Sequence, residues 1–307
     1  MYETAFTIST DPPFRFDLTV WVLRRRAKNS IDRFNDQTYS RVVVLNDSPV
    51  ELTAKQDDAL KPELEVTLRG RQKFLPGQEN EIKQLVKKMF GLDINLRPFY
   101  SLVDHEPMLG SLAEQFRGVR PTRYPTVFEA LVNAITCQQI SLDAGIAVLN
   151  RLAEKYGLGF ADNDGVVLHA FPRPEDLLEV SEEEFKRLGF SYQKARAIKG
   201  LAFGTANGDI ELNQLDSATN EEAAEYLQAI RGIGRWSAEY VLLRGLGRLD
   251  IFPGDDIGGQ NNVQKLLRLE TRPSYEELGS LTAKWQPYAG LIYFHLLLDK
   301  LHSKGLV

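Results

Sequence analysis

The sequence holds one cysteine, Cys137, among 307 residues. A single thiol excludes an intramolecular disulfide framework, a cysteine zinc finger and a four-cysteine iron–sulfur cluster, and it fits a reducing compartment. Histidine is nearly as scarce. His105, His169, His295 and His302 show no metal-ligand spacing. Long apolar runs are missing too. The most apolar stretch, Gly290–Leu298, contains His295 and falls far short of the roughly 20 residues that span a bilayer. The segment from Met1 to Thr10 carries Glu3 and no basic cluster, unlike a secretory signal. These absences predict a cytoplasmic protein with no membrane partner. Positive charge is not in excess: 37 Lys and Arg face 42 Asp and Glu, a net charge of −5. Nucleic-acid binders usually leave a basic footprint, so the total argues against such a partner. The imbalance is uneven, however. Residues 1–105 hold 16 basic and 15 acidic side chains, and residues 106–307 hold 21 and 27. A global count therefore leaves room for a local basic groove.

What is present suggests two units, 1–105 and 106–307, in keeping with the length. The first reads as a small α+β domain. Phe16 to Ala27 fits a helix or a strand, with Leu18, Trp21 and Val22 on its apolar side. Arg41 to Leu45 is β-rich and is followed by the turn residues Asn46-Asp47. Leu64, Val66 and Leu68 alternate with polar residues, as in a half-buried strand. The period then changes. Ile82, Leu85, Val86, Met89 and Phe90 form a helical stripe that Gly91 stops. From about residue 106 the pattern is helical, without a strong strand signal. The predicted helices lie around 128–135, 142–156, 175–180, 182–188, 192–205, 221–229, 235–246, 275–285 and 288–301.

The most informative stretch is Leu227 to Gly258. A helix ends at Ile230-Arg231-Gly232-Ile233-Gly234, and another begins at once. Two glycines one residue apart permit a tight turn and leave backbone N–H groups uncovered beside a helix N-terminus, where a phosphate can bind. Ile233 can plug the gap between the helices. Gly-x-Gly alone equally describes a plain helical hairpin. The second helix brings Trp236 and Tyr240 to one face, at i and i+4. A short link then reaches Phe252-Pro253-Gly254-Asp255-Asp256-Ile257-Gly258. One of the two carboxylates would cap the helix that opens there, and the other would point elsewhere and serve a site.

Together these residues resemble the helix-hairpin-helix DNA glycosylase superfamily, and within it the 3-methyladenine DNA glycosylase II type. Ile135-Thr136-Cys137-Gln138-Gln139-Ile140-Ser141 is similar to that family's I-x-x-Q-x-x-S element, and Trp285-Gln286-Pro287-Tyr288 to its C-terminal W-x-P-W/Y segment. Phe14 to Arg26 is similar to its N-terminal start, so the resemblance covers nearly the whole chain. It implies a helical glycosylase region behind the α+β domain, with the C-terminal helices packing back on the N-terminal side.

The resemblance also implies roles. Asp256 is the catalytic acid, and Asp255 is left to capping or loop support. Trp236 and Tyr240, with Trp21 as a substitute aromatic, line a pocket that stacks an electron-deficient base. Gln139 is the wedge that fills the vacancy when the base is flipped out. The N–H groups of Gly232, Gly234 and Trp236, with Arg235, bind a DNA phosphate. Backbone carbonyls of Gln228, Ile230 and Gly232 hold a monovalent Na+ or K+; no other cofactor is required. Arg244 and Lys194 either add DNA contacts or are solvated. Bifunctional relatives carry a lysine where Trp236 stands, and this sequence has no lysine between Lys199 and Lys265, which implies a monofunctional enzyme. Val22 and Leu297 fall where the type member has pocket aromatics, so the pocket is expected to be differently shaped. His295 matches a histidine of the family's C-terminal helix, a kind of residue more often satisfied in the core than a ligand. The expected partner of this base-excision repair enzyme is double-stranded DNA with damaged bases, alkylated purines above all. The protein is expected to be monomeric, and nucleoid-associated if bacterial. An oxidised- or deaminated-base glycosylase and a non-catalytic lesion-binding module are the alternatives.

Overall fold

The computed structural model describes residues 1–58, 61–162 and 165–307. The N-terminal part forms a five-stranded antiparallel sheet in the order β1-β5-β4-β3-β2. Its strands are β1 (Tyr2–Ser9), β2 (Arg33–Asn35), β3 (Thr38–Leu45), β4 (Ser48–Lys55) and β5 (Glu63–Gly70). In β5 the alternation seen in the sequence puts Leu64, Val66 and Leu68 inside. Asn46 and Asp47 both take positive φ, 46° and 59°, and join β3 to β4 through the two-residue turn whose twist matches a hairpin. The segment that fitted either period is a helix, α1 (Phe16–Arg24). Its two sides face different cores: Phe16, Val20 and Leu23 point into one, Leu18 and Val22 into the other.

The stripe from Ile82 to Phe90 becomes α2 (Gln78–Phe90), closed by Gly91 at φ 58°. Two short helices follow, α3 (Arg97–Val103) and α4 (Pro107–Gln115), which the sequence pattern did not mark. The rest of the chain forms α5 (Val127–Cys137), α6 (Leu142–Tyr156), α7 (Glu182–Leu188), α8 (Tyr192–Asn207), α9 (Asn220–Ala229), α10 (Arg235–Arg244), α11 (Ile257–Leu267), α12 (Tyr275–Thr282) and α13 (Ala289–His302). The helical half also contains a small hairpin, β6 (Gly159–Ala161) with β7 (Val167–His169). Strands of three residues are too short to show a period, which is why no strand signal stands out there. Among the described residues no helix is long and apolar enough to cross a membrane.

The hydrophobic cores do not divide at residue 105. One runs from the sheet through α5, α6 and α8 to α10. The other gathers α1, α3, α4 and α13 around Trp285. A buried ionic group ties the sheet to the helices: Arg41 on β3 donates to Asp32 at 2.8 Å and to Glu129 on α5 at 2.5 Å.

Candidate functional site

The turn between α9 and α10 is set by its glycines. Gly232 sits at φ 88°, and a Cβ there would lie 2.7 Å from the Cβ of Ala197. Only glycine fits without strain. Ile233 is buried between the helices, with its N–H donated to the Ile230 carbonyl at 3.1 Å. The N-cap of α10 is Gly234, which has no side chain to cap the first turn. The leading N–H groups of α10 therefore open onto an exposed surface, the arrangement that suits an anion. The segment in which the sequence places the expected wedge is fastened to this turn. Gln138 Nε2 donates to the Gly232 carbonyl and to Ser237 Oγ, each at 2.9 Å. Next to it, Gln139 is exposed at φ 55° in the link between α5 and α6.

Helix α10 carries Trp236 and Tyr240 to the wall of a cavity of about 610 Å³. Their rings lie 5.4 Å apart, tilted by 31°. Asp256 reaches the same cavity from the N-terminus of α11. Its Oδ1 accepts from Gly259 N at 2.5 Å, and its Oδ2 accepts from Trp236 Nε1 at 3.2 Å. One carboxylate thus caps the helix and also faces the site. This corrects the expectation that one acid caps the helix while the other serves the site; of the two roles left to Asp255, capping or loop support, capping falls to Asp256. Asp255 instead forms a two-point ion pair with Arg235, at 2.7 and 3.0 Å.

The loop bearing both acids is clamped from behind. Glu239 accepts from Gly254 N at 2.8 Å and from the Tyr275 hydroxyl at 2.6 Å, and Gln260 Nε2 donates to the Gly254 carbonyl at 2.8 Å. Burial pushes the Glu239 carboxyl up, while burial and the Glu239 contact push the Tyr275 phenol up to about 12. A Cβ on Gly254 would meet the Tyr275 ring at 2.6 Å, so the close approach demands glycine.

Some residues stand differently from their sequence-based roles, and others, such as Trp21 and His295, as expected. Arg235 is held by Asp255 and stacks at 3.6 Å over Tyr275, so its guanidinium is already engaged. Lys194 donates to the carbonyls of Thr136 and Gln138 at the end of α5. Arg244 is buried and donates to the Val22 carbonyl at 2.6 Å, so it is neither a DNA contact nor solvated surface. Val22 is buried in the second core and does not line the cavity, whereas Trp21 and Leu297 do. His295 is a core residue. Its Nδ1 donates to the Leu291 carbonyl, and burial lowers its pKa to about 4. Of the carbonyls expected to hold a cation, that of Ile230 accepts from Ile233 N and that of Gly232 from Gln138. Each oxygen keeps a second lone pair for an ion. The Gln228 side chain turns back to the Ala224 carbonyl, and its own carbonyl ends the helix.

Sequence reasoning missed Arg25, Tyr293, Glu239 and Tyr275. Arg25 and Tyr293 line the cavity, and Glu239 and Tyr275 hold the loop. Within α10 only the i+3 spacing from Trp236 to Glu239 hinted at any of them.

An αα-hairpin with an open N-terminus, an aromatic cavity and a helix-capping aspartate define a helix-hairpin-helix protein of base-excision type. Residues 132–287 match the family described as HhH-GPD superfamily base excision DNA repair protein, and the chain belongs to that superfamily. It is similar to the DNA-3-methyladenine glycosylase of Bacillus subtilis, 29% identical across 71% of this chain and 72% of the relative. It is 26% identical to DNA-3-methyladenine glycosylase 2 of Escherichia coli, across 95% of this chain and 96% of the relative. The solved 3-methyladenine DNA-glycosylase from Archaeoglobus fulgidus superposes with a TM-score of 0.85 at 25% identity, covering 98% of this chain and all of that one.

Proposed function

We propose that the protein is a monofunctional DNA glycosylase that takes an alkylated purine out of the duplex and hydrolyses its N-glycosidic bond. The observation that carries this reading is the placement of Asp256. Its carboxylate is fixed at both oxygens on the wall of an aromatic cavity, in a chain similar along nearly its full length to 3-methyladenine glycosylases.

The chemistry follows from the geometry. The target base leaves the stack and enters the cavity beside Trp236 and Tyr240, where π stacking holds it. As the bond to the base breaks, the deoxyribose gains oxocarbenium character. A carboxylate that is already oriented stabilises that charge and directs the attacking water without reorganising. Trp236 stands where bifunctional relatives carry the Schiff-base lysine, and on that ground water is taken as the nucleophile and the DNA strand is left intact. Gln139 fills the vacated stack from the exposed turn it shares with Gln138. The N–H groups of Gly232, Gly234 and Trp236 grip a phosphate near the lesion, and Arg235 braces the loop of Asp255. A Na+ or K+ held by the carbonyls of Gln228, Ile230 and Gly232 would offset part of the phosphate charge.

Asp256→Asn keeps the cap acceptor and removes the charge. It is expected to lower release of 3-methyladenine or 7-methylguanine from methylated duplex by about 10³-fold or more, with DNA binding nearly unchanged in a gel-shift assay. Full activity in that variant would refute the assignment. A covalent adduct trapped by borohydride would refute the monofunctional reading.

A further inference from the structure

The link that carries Gln139 leaves α5 without a cap of its own. The helix ends at Cys137, Gln138 turns away at ψ 133°, and Gln139 follows at φ 55°. Left-handed backbone is rare for a residue with a side chain, and it persists only where its surroundings hold it. The carbonyls in the last turn of a helix also need donors from outside. One side chain meets both needs. Lys194 Nζ donates to the Thr136 carbonyl at 2.8 Å and to the Gln138 carbonyl at 2.7 Å. The first bond closes the end of α5. The second fixes the peptide plane that Gln138 shares with Gln139, because a carbonyl and the N–H that follows it are coplanar. Beyond the exposed pair Gln139-Ile140, the link is anchored again at Ser141, whose hydroxyl caps α6 by accepting from Ala144 N at 3.2 Å.

The place of Lys194 in its own helix is costly. It is the third residue of α8, and its N–H is donated to the N-cap Ser191 hydroxyl at 3.3 Å. Helix N-termini favour acids, yet this first turn holds none and carries a cation at its positive end. Lys194 is also half-buried, and burial lowers its pKa. No carboxylate pairs with it among the described residues. Lys186, the other cation of the same small cleft, lies instead over the Tyr192 ring, 5.4 Å from its centroid. A cation kept against both the dipole and desolvation is accounted for by what it holds, the negative end of α5 and the link beyond it.

Resting on the glycosylase reading above, we propose that Lys194 is a positioning residue for the wedge. It acts through the Gln138 carbonyl and not on the base. Its ammonium keeps Gln139 in the exposed left-handed conformation, so that the wedge enters the stack without first reordering the link.

A double-mutant cycle tests this, read as single-turnover release of 7-methylguanine from duplex DNA. Lys194→Met removes the ammonium at similar length and is expected to slow release by about 10-fold, the effect of losing hydrogen bonds from a charged group. Lys194→Arg keeps charge and donors and is expected to retain most of the rate. In a Gln139→Ala background, which already lacks the wedge, Lys194→Met is expected to change the rate by less than about twofold. A second readout needs no chemistry. It is the ratio of affinities for a duplex with a tetrahydrofuran abasic analogue and for an intact duplex, measured by fluorescence anisotropy on one preparation, so that any unfolded fraction cancels. Lys194→Met is expected to lower that preference for the vacant duplex by about 10-fold. If Lys194→Met costs the same in both backgrounds, or leaves the affinity ratio unchanged, Lys194 serves only the packing of α8 on α5 and the proposal is overturned. If Gln139→Ala moves neither readout, the wedge assignment falls and the proposal with it. If the wild-type protein releases no base while the affinity ratio responds as expected, the catalytic reading fails and the positioning role stands.

Discussion

At the residue scale, the site depends on a few contacts that sequence spacing hides. The Gly254–Tyr275 approach joins residues 21 positions apart, and nothing local in either segment announces it. Adding one methyl group there pushes the Asp255–Asp256 loop away from Glu239. Gly254→Ala is expected to slow base release by about 10- to 100-fold, because small displacements of a reacting group are expensive, with stability falling less; single-turnover release and a thermal melt separate the two effects. His295 gives a pH-dependent prediction. Its folded pKa, about 4, lies below the ordinary histidine value of 6.5, so the protonated form is disfavoured in the native state. Stability from this group is complete above about pH 6.5 and is lost as pH falls towards 4, for a total of about 3 kcal/mol. In His295→Gln, which keeps a donor for the Leu291 carbonyl but does not titrate, the melting temperature is expected to fall less over that interval. An identical decline in both proteins would show that other groups set the acid sensitivity.

At the element scale, the sequence foretold the pieces with strong periods and missed those without. The Ile82–Phe90 stripe, the alternation of Leu64, Val66 and Leu68, and the glycine turn after α9 all appear where the pattern put them. Strand β1 lies at the sheet edge with only Ile8 fully buried, so its residues carry little hydrophobic signal. The site was legible in the same uneven way. The Trp236–Tyr240 pair lies on one helix face, so local spacing was enough to join it; spacing marked the Asp255–Asp256 pair at a helix start, and only the resemblance implied which acid serves the site. Arg25 comes to the cavity from a helix more than 200 residues away, and only tertiary packing brings it there. The union of cap and site role in Asp256 had the same cause: capping could be foreseen, but the Arg235 partner that takes Asp255 away could not. The hairpin itself yields a test. Gly232→Ala forces a side chain into φ 88° and against Ala197. It is expected to cost about 1–3 kcal/mol of stability and to weaken binding to undamaged duplex, measured by denaturant melts and fluorescence anisotropy. Unchanged binding would remove the turn from the DNA interface.

At the scale of the whole molecule, the net charge of −5 is compatible with a DNA partner because the grip proposed above would run through backbone. Several basic side chains near the hairpin are spent elsewhere: Arg235 on Asp255, Lys194 on the end of α5, and Arg244 in the core. The salt dependence of duplex binding is therefore expected to be shallow, with a log–log slope equivalent to about two or three phosphates. A slope that indicates many released counterions would contradict it. The sheet and the helices are joined by Arg41 between Asp32 and Glu129. Removing its charge in Arg41→Met strands two buried carboxylates, at an expected cost of about 3–5 kcal/mol, since a broken buried pair leaves charge uncompensated; urea denaturation measures it.

The Gln138 amide, bonded to the Gly232 carbonyl and Ser237 while its neighbour Gln139 stands exposed, gives the molecule a ruler. On the proposed reading, the wedge at Gln139 and the phosphate site at the hairpin are set a fixed distance apart by that one side chain, and a lesion would be engaged by its offset from a bound phosphate, whatever the surrounding bases.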